Sequence, residues 1–172
     1  MGKILIAFYS RKGQNYVSGS IKDLNVGNTE VVAKMVEEIT EGDLFQIDTV
    51  KKYPSDYHEA TVVAQKELRE KARPELISEL SNIEEYDTII LGYPNWWGTM
   101  PMAVYTFLES YDFSNKTIVP FCTHEGSGLG HSEKDIQMLC RNSTILKGLA
   151  IHGTNAASSK KDLQKWLKDI IK

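Results

Sequence analysis

The feature that most constrains the fold is the repeated alternation of two patterns along the chain. Continuous apolar runs of strand length alternate with segments in which apolar residues recur every three or four positions. Parallel strands that are buried on both faces have the first pattern, and the helices that connect them have the second. The apolar runs cover residues 3–9, 44–50, 87–92, 117–121 and 146–152. We therefore predict an α/β protein, a three-layer doubly wound sandwich with a five-stranded parallel sheet between helices.

The helical segments have recognisable starts. We expect the first helix to begin with Asn28 as its N-terminal cap and to end just before Gly42, because these residue types favour helix ends. The later helices are predicted over residues 56–72, from residue 101, from residue 132 and after residue 159. Whether residues 74–80 form a further short helix stays open.

Composition limits the class of protein. With 172 residues, 41% hydrophobic and 25% charged, the chain is predicted to form a single domain over residues 1–172. A net charge of −3 argues against nucleic-acid binding, which requires a basic surface. No apolar run approaches the roughly 20 residues of a membrane helix, and no secretory signal precedes the first strand. We expect a cytoplasmic protein, a monomer or weak dimer, with Cys122 and Cys140 as reduced thiols.

Two segments are longer than a minimal α/β unit needs. Residues 11–26 separate the first strand from the first helix, and residues 51–86 separate the second strand from the third. Long connections inside a compact domain are usually functional. Both are candidates for lids over a binding crevice, and we expect the Tyr53–Tyr57 turn to lie near the ligand. Packing of both tyrosines on outer helices is the alternative.

The loop after the first strand has residues that suit a phosphate. Ser10 ends the strand, and Asn28 and Thr29 begin the next helix, where free N–H groups and the helix dipole attract anions. The glycine patterns of ATP and dinucleotide sites are absent there. Taken alone, Asn28 and Thr29 would be better explained as a simple helix cap. Arg11 and Lys12 could add positive charge or could be solvated loop residues.

The loop after the third strand contains adjacent tryptophans. It consists of Pro94, Asn95, Trp96, Trp97 and Gly98. Neighbouring side chains diverge, so we expect one indole to pack in the core and the other to lie over the crevice as a platform for a planar ligand. A hydrophobic corner or a partner-binding patch is the alternative.

The loop after the fourth strand is rich in glycine and short polar side chains. Its candidate ligand-binding residues are Thr123, His124, Glu125, Gly126, Ser127 and Gly128. This composition suits a flexible backbone that bonds the polar edge of a flat ring, and it lacks the nucleophile elbow of hydrolases. The four histidines have no metal-ligand spacing with the cysteines, so no metal site is predicted. The three loops together predict a phosphorylated aromatic cofactor.

The combined loops resemble those of the flavodoxin superfamily over essentially the whole chain. The similarity is carried by Ser10 with Gly27-Asn28-Thr29, by Gly92-Tyr-Pro-Asn-Trp-Trp-Gly-Thr-Met-Pro101, and by Pro120-Phe-Cys-Thr-His-Glu-Gly-Ser-Gly128. The resemblance implies the strand order 2-1-3-4-5 and FMN as the cofactor. It places the phosphate loop on Ser10, Lys12, Asn28 and Thr29, and the ring-binding loops on 94–98 and 123–128. The insertion at 11–26 departs from the compact loop of simple flavodoxins.

Three roles follow from the resemblance. The first is an electron-transfer carrier that works with redox partner proteins. The second is an NAD(P)H-dependent FMN reductase acting on quinones or similar acceptors, which the two long segments would suit. The third is a flavin-dependent interaction module. No catalytic serine, cysteine or carboxylate constellation is present, so any activity would be that of the flavin.

Overall fold

The computed structural model describes residues 2–171, so Met1 and Lys172 of the predicted domain lie outside the described residues. Its strands are β1 (Lys3–Tyr9), β2 (Gly13–Val17), β3 (Ser20–Leu24), β4 (Asp43–Ile47), β5 (Tyr86–Pro94), β6 (Thr117–His124), β7 (Thr144–Ile145) and β8 (Leu149–His152). Its α-helices are α1 (Asn28–Thr40), α2 (Tyr57–Glu70), α3 (Met102–Ser110), α4 (Ser132–Leu139) and α5 (Lys160–Lys168). Short 3₁₀ turns cover Ile83–Glu85 and Gly153–Ser158.

The central sheet is parallel throughout, in the order β4-β1-β5-β6, and β7 and β8 both pair with β6 on its outer side. Since β7 and β8 together form the predicted fifth strand, the predicted order 2-1-3-4-5 is confirmed. The fifth strand is interrupted at residues 146–148. Two β6 residues, Val119 and Pro120, face three residues there, so the extra residue breaks the regular pairing.

The core has one layer on each face of the sheet, because successive side chains of a strand point to opposite faces. Leu5, Ala7 and Tyr9 of β1 pack with α3 and α4, whereas Ile4, Ile6 and Phe8 pack with α1 and α5. The predicted three-layer arrangement is therefore present.

The insertion at 11–26 folds into an antiparallel hairpin of β2 and β3, which was not predicted. Ser18 and Gly19 form its two-residue turn with φ of 53° and 86°. Only Val17 of the hairpin strands is buried.

The short helix left open at residues 74–80 is absent, and the predicted N-cap of the first helix is wrong. Residues 74–80 form no helix, because Leu76 pairs with Thr49 and the segment bonds residues 48–50 through its backbone. Gly27, not Asn28, is the N-cap of α1, and Asn28 is already helical. The capping acceptor is a side chain outside the helix: Ser10 Oγ accepts a hydrogen bond from the Glu30 N–H at 3.1 Å. Among residues 2–171, every helix is too short or too polar to span a bilayer.

Candidate functional site

A crevice lies at the carboxyl ends of β1, β5 and β6, where ligands bind in open parallel sheets. It consists of two adjoining cavities of about 340 and 220 Å³. Both are lined by Arg11, Asn15, Tyr57, Asn95, Trp96 and Ser127. The larger one, the ring cavity, is also lined by Trp97, Gly98 and residues of α2. The smaller one, the chain cavity, is also lined by Asn28, Thr29, Pro94, Thr123, His124 and Glu125.

Most of the predicted site residues meet in this crevice, but Ser10, Lys12, Gly126 and Gly128 do not line it. Ser10 and Lys12 line a separate cavity of about 770 Å³ between the hairpin and the loop after β4. The Ser10 hydroxyl is engaged in capping α1, and Lys12 is exposed. Gly126 and Gly128 shape the loop after β6, with φ of 133° and 61°.

The amino end of α1 forms one wall of the chain cavity. The first N–H groups of a helix have no acceptor within the helix, and they carry the positive end of its dipole. Asn28 and Thr29 provide these groups here. Thr29 Oγ1 lies 2.8 Å from Thr123 Oγ1, a buried hydrogen bond that connects α1 to the end of β6. This wall is suited to an anion.

The turn Trp96–Thr99 forms the floor of the ring cavity. Trp97 and Gly98 have φ of 58° and 89°, and Trp96 and Thr99 exchange backbone hydrogen bonds. A tryptophan rarely adopts a positive φ, so the surrounding contacts must hold this turn. Asn95 Oδ1 accepts from Gly98 N at 2.9 Å, and the His131 N–H donates to the Gly98 carbonyl at 2.8 Å.

The two indoles diverge, as the sequence predicts. Trp96 is partly buried, and its ring makes edge contacts with Tyr9 and Tyr53 at centroid distances of 5.3 and 5.2 Å. Trp97 is 49% exposed, and its Nε1 donates to the Thr61 carbonyl at 3.0 Å. Trp96 therefore has a fixed position in the crevice wall, and Trp97 joins this wall to α2.

Helix α2 and the hairpin cover the crevice. The small side chains Ala60 and Ala64 face the ring cavity, while Tyr57 lines both cavities and stacks on Tyr16 at 6.3 Å. Of the Tyr53–Tyr57 turn that we expect near the ligand, Tyr57 lines the crevice, whereas Tyr53, Pro54 and Ser55 line the separate cavity of about 770 Å³. The alanines were missed in the sequence, where their spacing of four residues was the available signal.

Arg11 lies between the hairpin and the loop before α2. Its guanidinium donates to the carbonyls of Gln14, Pro54 and Ser55 at 3.0, 2.9 and 3.1 Å. These bonds fix the hairpin to the loop before α2. Among the residues that line the two cavities, Arg11 is also the one arginine or lysine.

The loop after β6 closes the outer side of the chain cavity. Burial lowers the pKa of His124, and the neighbouring His152 ring, 5.5 Å away, adds to the effect. The His124 Nδ1 atom accepts a hydrogen bond from Gly126 N at 2.9 Å. Asn95 Nδ2 donates to the Gly128 carbonyl at 2.8 Å and so connects this loop to the segment that leads into the turn Trp96–Thr99.

The crevice fits a planar group joined to a phosphate. A helix amino end suits the phosphate, and a partly buried indole with neighbouring backbone groups suits a flat ring. The ring cavity lies within the usual size range of small-molecule sites.

Comparison with known proteins supports this interpretation. The family model described as Flavodoxin matches residues 3–170. No curated protein sequence matches the chain.

Solved structures resemble the whole chain. The crystal structure of a protein from Bacteroides eggerthii DSM 20697, assigned as a flavoprotein, has 28% sequence identity and a TM-score of 0.80. The match covers 99% of this chain and 98% of that chain. The crystal structure of a protein from Bacteroides uniformis ATCC 8492, also assigned as a flavoprotein, has 32% sequence identity and a TM-score of 0.77. The match covers 97% of this chain and 98% of that chain. A flavoprotein from Lactobacillus acidophilus NCFM, solved in complex with FMN, has 18% identity and a TM-score of 0.67, covering 94% and 99%.

Proposed function

Because the chain belongs to the flavodoxin family, we propose that it binds one FMN non-covalently and acts as an electron-transfer carrier. The observation that carries this proposal is the arrangement of the two adjoining cavities. The amino end of α1 lies at the chain cavity, and the Trp96 turn lies at the ring cavity. Family membership supports FMN as the cofactor.

Each part of the cofactor has a matching wall. Asn28 and Thr29 would bind the phosphate through the helix amino end. Trp96 and the backbone around Gly98 would hold the ring, and Asn95 would keep the two ring loops together through its bonds to Gly98 and Gly128. When bound, FMN supplies the capacity to accept and release electrons.

The cover over the ring cavity favours a carrier over a reductase. Two-electron transfer from NAD(P)H requires the nicotinamide to lie close against the flavin ring. Helix α2 lines the ring cavity through Ala60, Thr61 and Ala64, and the Trp97 indole is bonded to Thr61. A nicotinamide would need part of this cover to move. A redox protein that exchanges electrons at an exposed cofactor edge does not need such a movement.

Anaerobic stopped-flow mixing tests the role. FMN-loaded protein is mixed with NADH or NADPH, and flavin absorbance is followed, with dithionite as the control that the flavin can be reduced. We expect slow bleaching by both nucleotides and rapid bleaching by dithionite. Rapid bleaching by either nucleotide would contradict the carrier and favour the reductase, whose acceptors would be quinones or similar compounds.

A further inference from the structure

Three aromatic rings meet at the wall of the ring cavity. The indole of Trp96, which lines this cavity, makes edge contacts with Tyr9 and Tyr53 at interplanar angles of 80° and 87°. The centroids of the two tyrosine rings lie 6.4 Å apart. Edge-to-face contacts at these distances are close aromatic packing, and an electron passes readily between aromatic rings that touch. Trp96 can therefore exchange an electron with either tyrosine.

The two tyrosines differ in what their hydroxyl groups contact. The Tyr53 hydroxyl donates a hydrogen bond to Glu67 Oε1 of helix α2 at 2.6 Å. Among residues 2–171, no carboxylate accepts a hydrogen bond from the Tyr9 hydroxyl. A phenol that loses an electron becomes a strong acid, so a base already positioned to take its proton favours the oxidation. Tyr53 is therefore the tyrosine that gives up an electron more readily.

The surroundings of Glu67 suit a proton acceptor. Burial raises the pKa of Glu67 above the ordinary value of a glutamate, although the hydrogen bond from Tyr53 and the charge of Lys51 act in the opposite direction. A carboxylate with a raised pKa holds a proton more firmly once it has received one. Glu67 can thus keep the phenolic proton beside the oxygen that released it.

Tyr53 also connects the aromatic cluster to solvent. Its side chain lines the separate cavity of about 770 Å³ between the hairpin and the loop after β4. Lys52, which lines the same cavity, is exposed, so the cavity is open to solvent. A small dissolved reductant can therefore approach Tyr53 from the side away from the ring cavity.

We propose that Trp96, Tyr53 and Glu67 form a relay that repairs Trp96 after it has lost an electron. A one-electron oxidant in the ring cavity takes an electron from the Trp96 indole. Tyr53 then gives an electron to Trp96, and its O–H bond breaks as the proton moves to Glu67. The Tyr53 radical next takes one electron from a soluble reductant of the ascorbate class and takes its proton back from Glu67. In total, one electron passes from the reductant to the oxidant, and all three side chains are restored.

The relay goes beyond the proposed function and does not require bound FMN. Under the proposed function, FMN excited by light would be the oxidant that Trp96 meets. The relay itself consists of side chains of this chain, so it can be tested in the flavin-free protein. A failure of the relay and a failure of FMN binding are therefore separate results.

Pulse radiolysis of the flavin-free protein tests the relay. Azide radicals take one electron from tryptophan, and the tryptophanyl and tyrosyl radicals are followed through their distinct absorption bands. A Trp97→Phe/Trp166→Phe background leaves Trp96 as the one tryptophan of the chain. We expect the radical to pass from Trp96 to a tyrosine at a rate that does not depend on protein concentration. The rate should be lower in D₂O, because a proton moves with the electron.

Three variants in this background identify the partners. Tyr53→Phe retains the ring without the hydroxyl and should abolish the transfer. Tyr9→Phe is the matched control, because the Tyr9 ring lies at nearly the same distance from Trp96, and it should leave the transfer unchanged. Glu67→Gln retains the size of the side chain but is a poor base. It should slow the transfer on the order of a hundredfold, as removal of a positioned proton acceptor does.

Several outcomes would overturn the proposal. These are a tryptophanyl radical that persists in the background protein, a transfer that survives Tyr53→Phe, an equal loss in Tyr9→Phe, or an unchanged rate in Glu67→Gln. Added ascorbate should shorten the life of the tyrosyl radical, and a radical that ascorbate does not remove would refute the last step. Circular dichroism checks that each variant is folded, and Glu67→Gln together with the D₂O measurement tests the proton step without altering an aromatic ring.

Discussion

The Nε1 atom of Trp97 donates a hydrogen bond to the carbonyl oxygen of Thr61 at 3.0 Å, and this bond joins the loop after β5 to helix α2. Both residues line the ring cavity. The indole thus forms part of a closure over the place where the flavin ring is proposed to lie.

Replacing Trp97 with phenylalanine should loosen this closure. Trp97→Phe retains an aromatic ring and removes the donor, and a neutral hydrogen bond contributes about 0.5–1.5 kcal/mol. We expect FMN to dissociate roughly two to ten times faster, measured by recovery of FMN fluorescence after dilution. Trp166→Phe is the control, because Trp166 Nε1 also bonds a backbone carbonyl, that of Lys147, away from the crevice. Equal dissociation rates in both variants would contradict a role for the Trp97 bond.

Trp96 should contribute affinity through its flat indole. Trp96→Leu retains apolar bulk against Tyr9 and Tyr53 but removes the aromatic face. Since aromatic stacking on a base is worth ~1–3 kcal/mol, we expect FMN affinity to fall on the order of tenfold or more. The measurement is a fluorescence titration, with urea unfolding to separate lost affinity from lost stability. Unchanged affinity would place the ring elsewhere in the crevice.

Gly92 should be intolerant of even one added carbon. A Cβ at Gly92 would lie 2.1 Å from Cζ of Phe121, whose ring is fully buried. Overpacking of a core costs about 1–3 kcal/mol, and we expect Gly92→Ala to lower the free energy of unfolding by about this amount.

The companion variant Phe121→Leu removes the obstructing ring. The double variant should lose less stability than the sum of the losses of the two single variants, because residues in contact are coupled. Urea unfolding of all four proteins measures this coupling. Strictly additive losses would contradict the close contact.

Stability should decrease in alkaline solution through the buried thiols. Burial raises the pKa of Cys140 to about 11 and that of Cys122 to about 12, above the roughly 8.5 of an unfolded thiol. The unfolded chain therefore releases protons first as the pH rises, so this contribution is full below about pH 8.5 and is lost towards pH 11. Urea unfolding at pH 7.5 and pH 10 should show a smaller decrease for Cys140→Ala than for the unmodified protein. An equal decrease would contradict the raised pKa of Cys140.

The sheet could be predicted because its central strands are buried on both faces. The apolar run at 87–92 identifies β5 without knowledge of its neighbours, although the strand extends to Pro94. The hairpin could not be found this way, because its strands are mostly solvated and only Val17 is buried. The Ser18-Gly19 pair, a turn signal between two short strands, was the local evidence for it.

The loops of the site were predictable, and the two long segments were already candidates for its cover, but the contacts that hold this cover in place could not be predicted. Trp96, Trp97 and Gly98 are unusual in sequence, and strand ends of a parallel sheet lie at one edge. The contact between Trp97 and Thr61 depends on where α2 packs, which a local pattern does not contain. The role of Ser10 is similar, since its bond to Glu30 spans the whole hairpin insertion.

Titration of the purified, flavin-free protein with FMN tests the central claim most directly. The account predicts saturable quenching of FMN fluorescence with one FMN per chain, together with a yellow complex that survives gel filtration. Fluorescence that stays unquenched, with FMN eluting separately from a colourless protein, would contradict it.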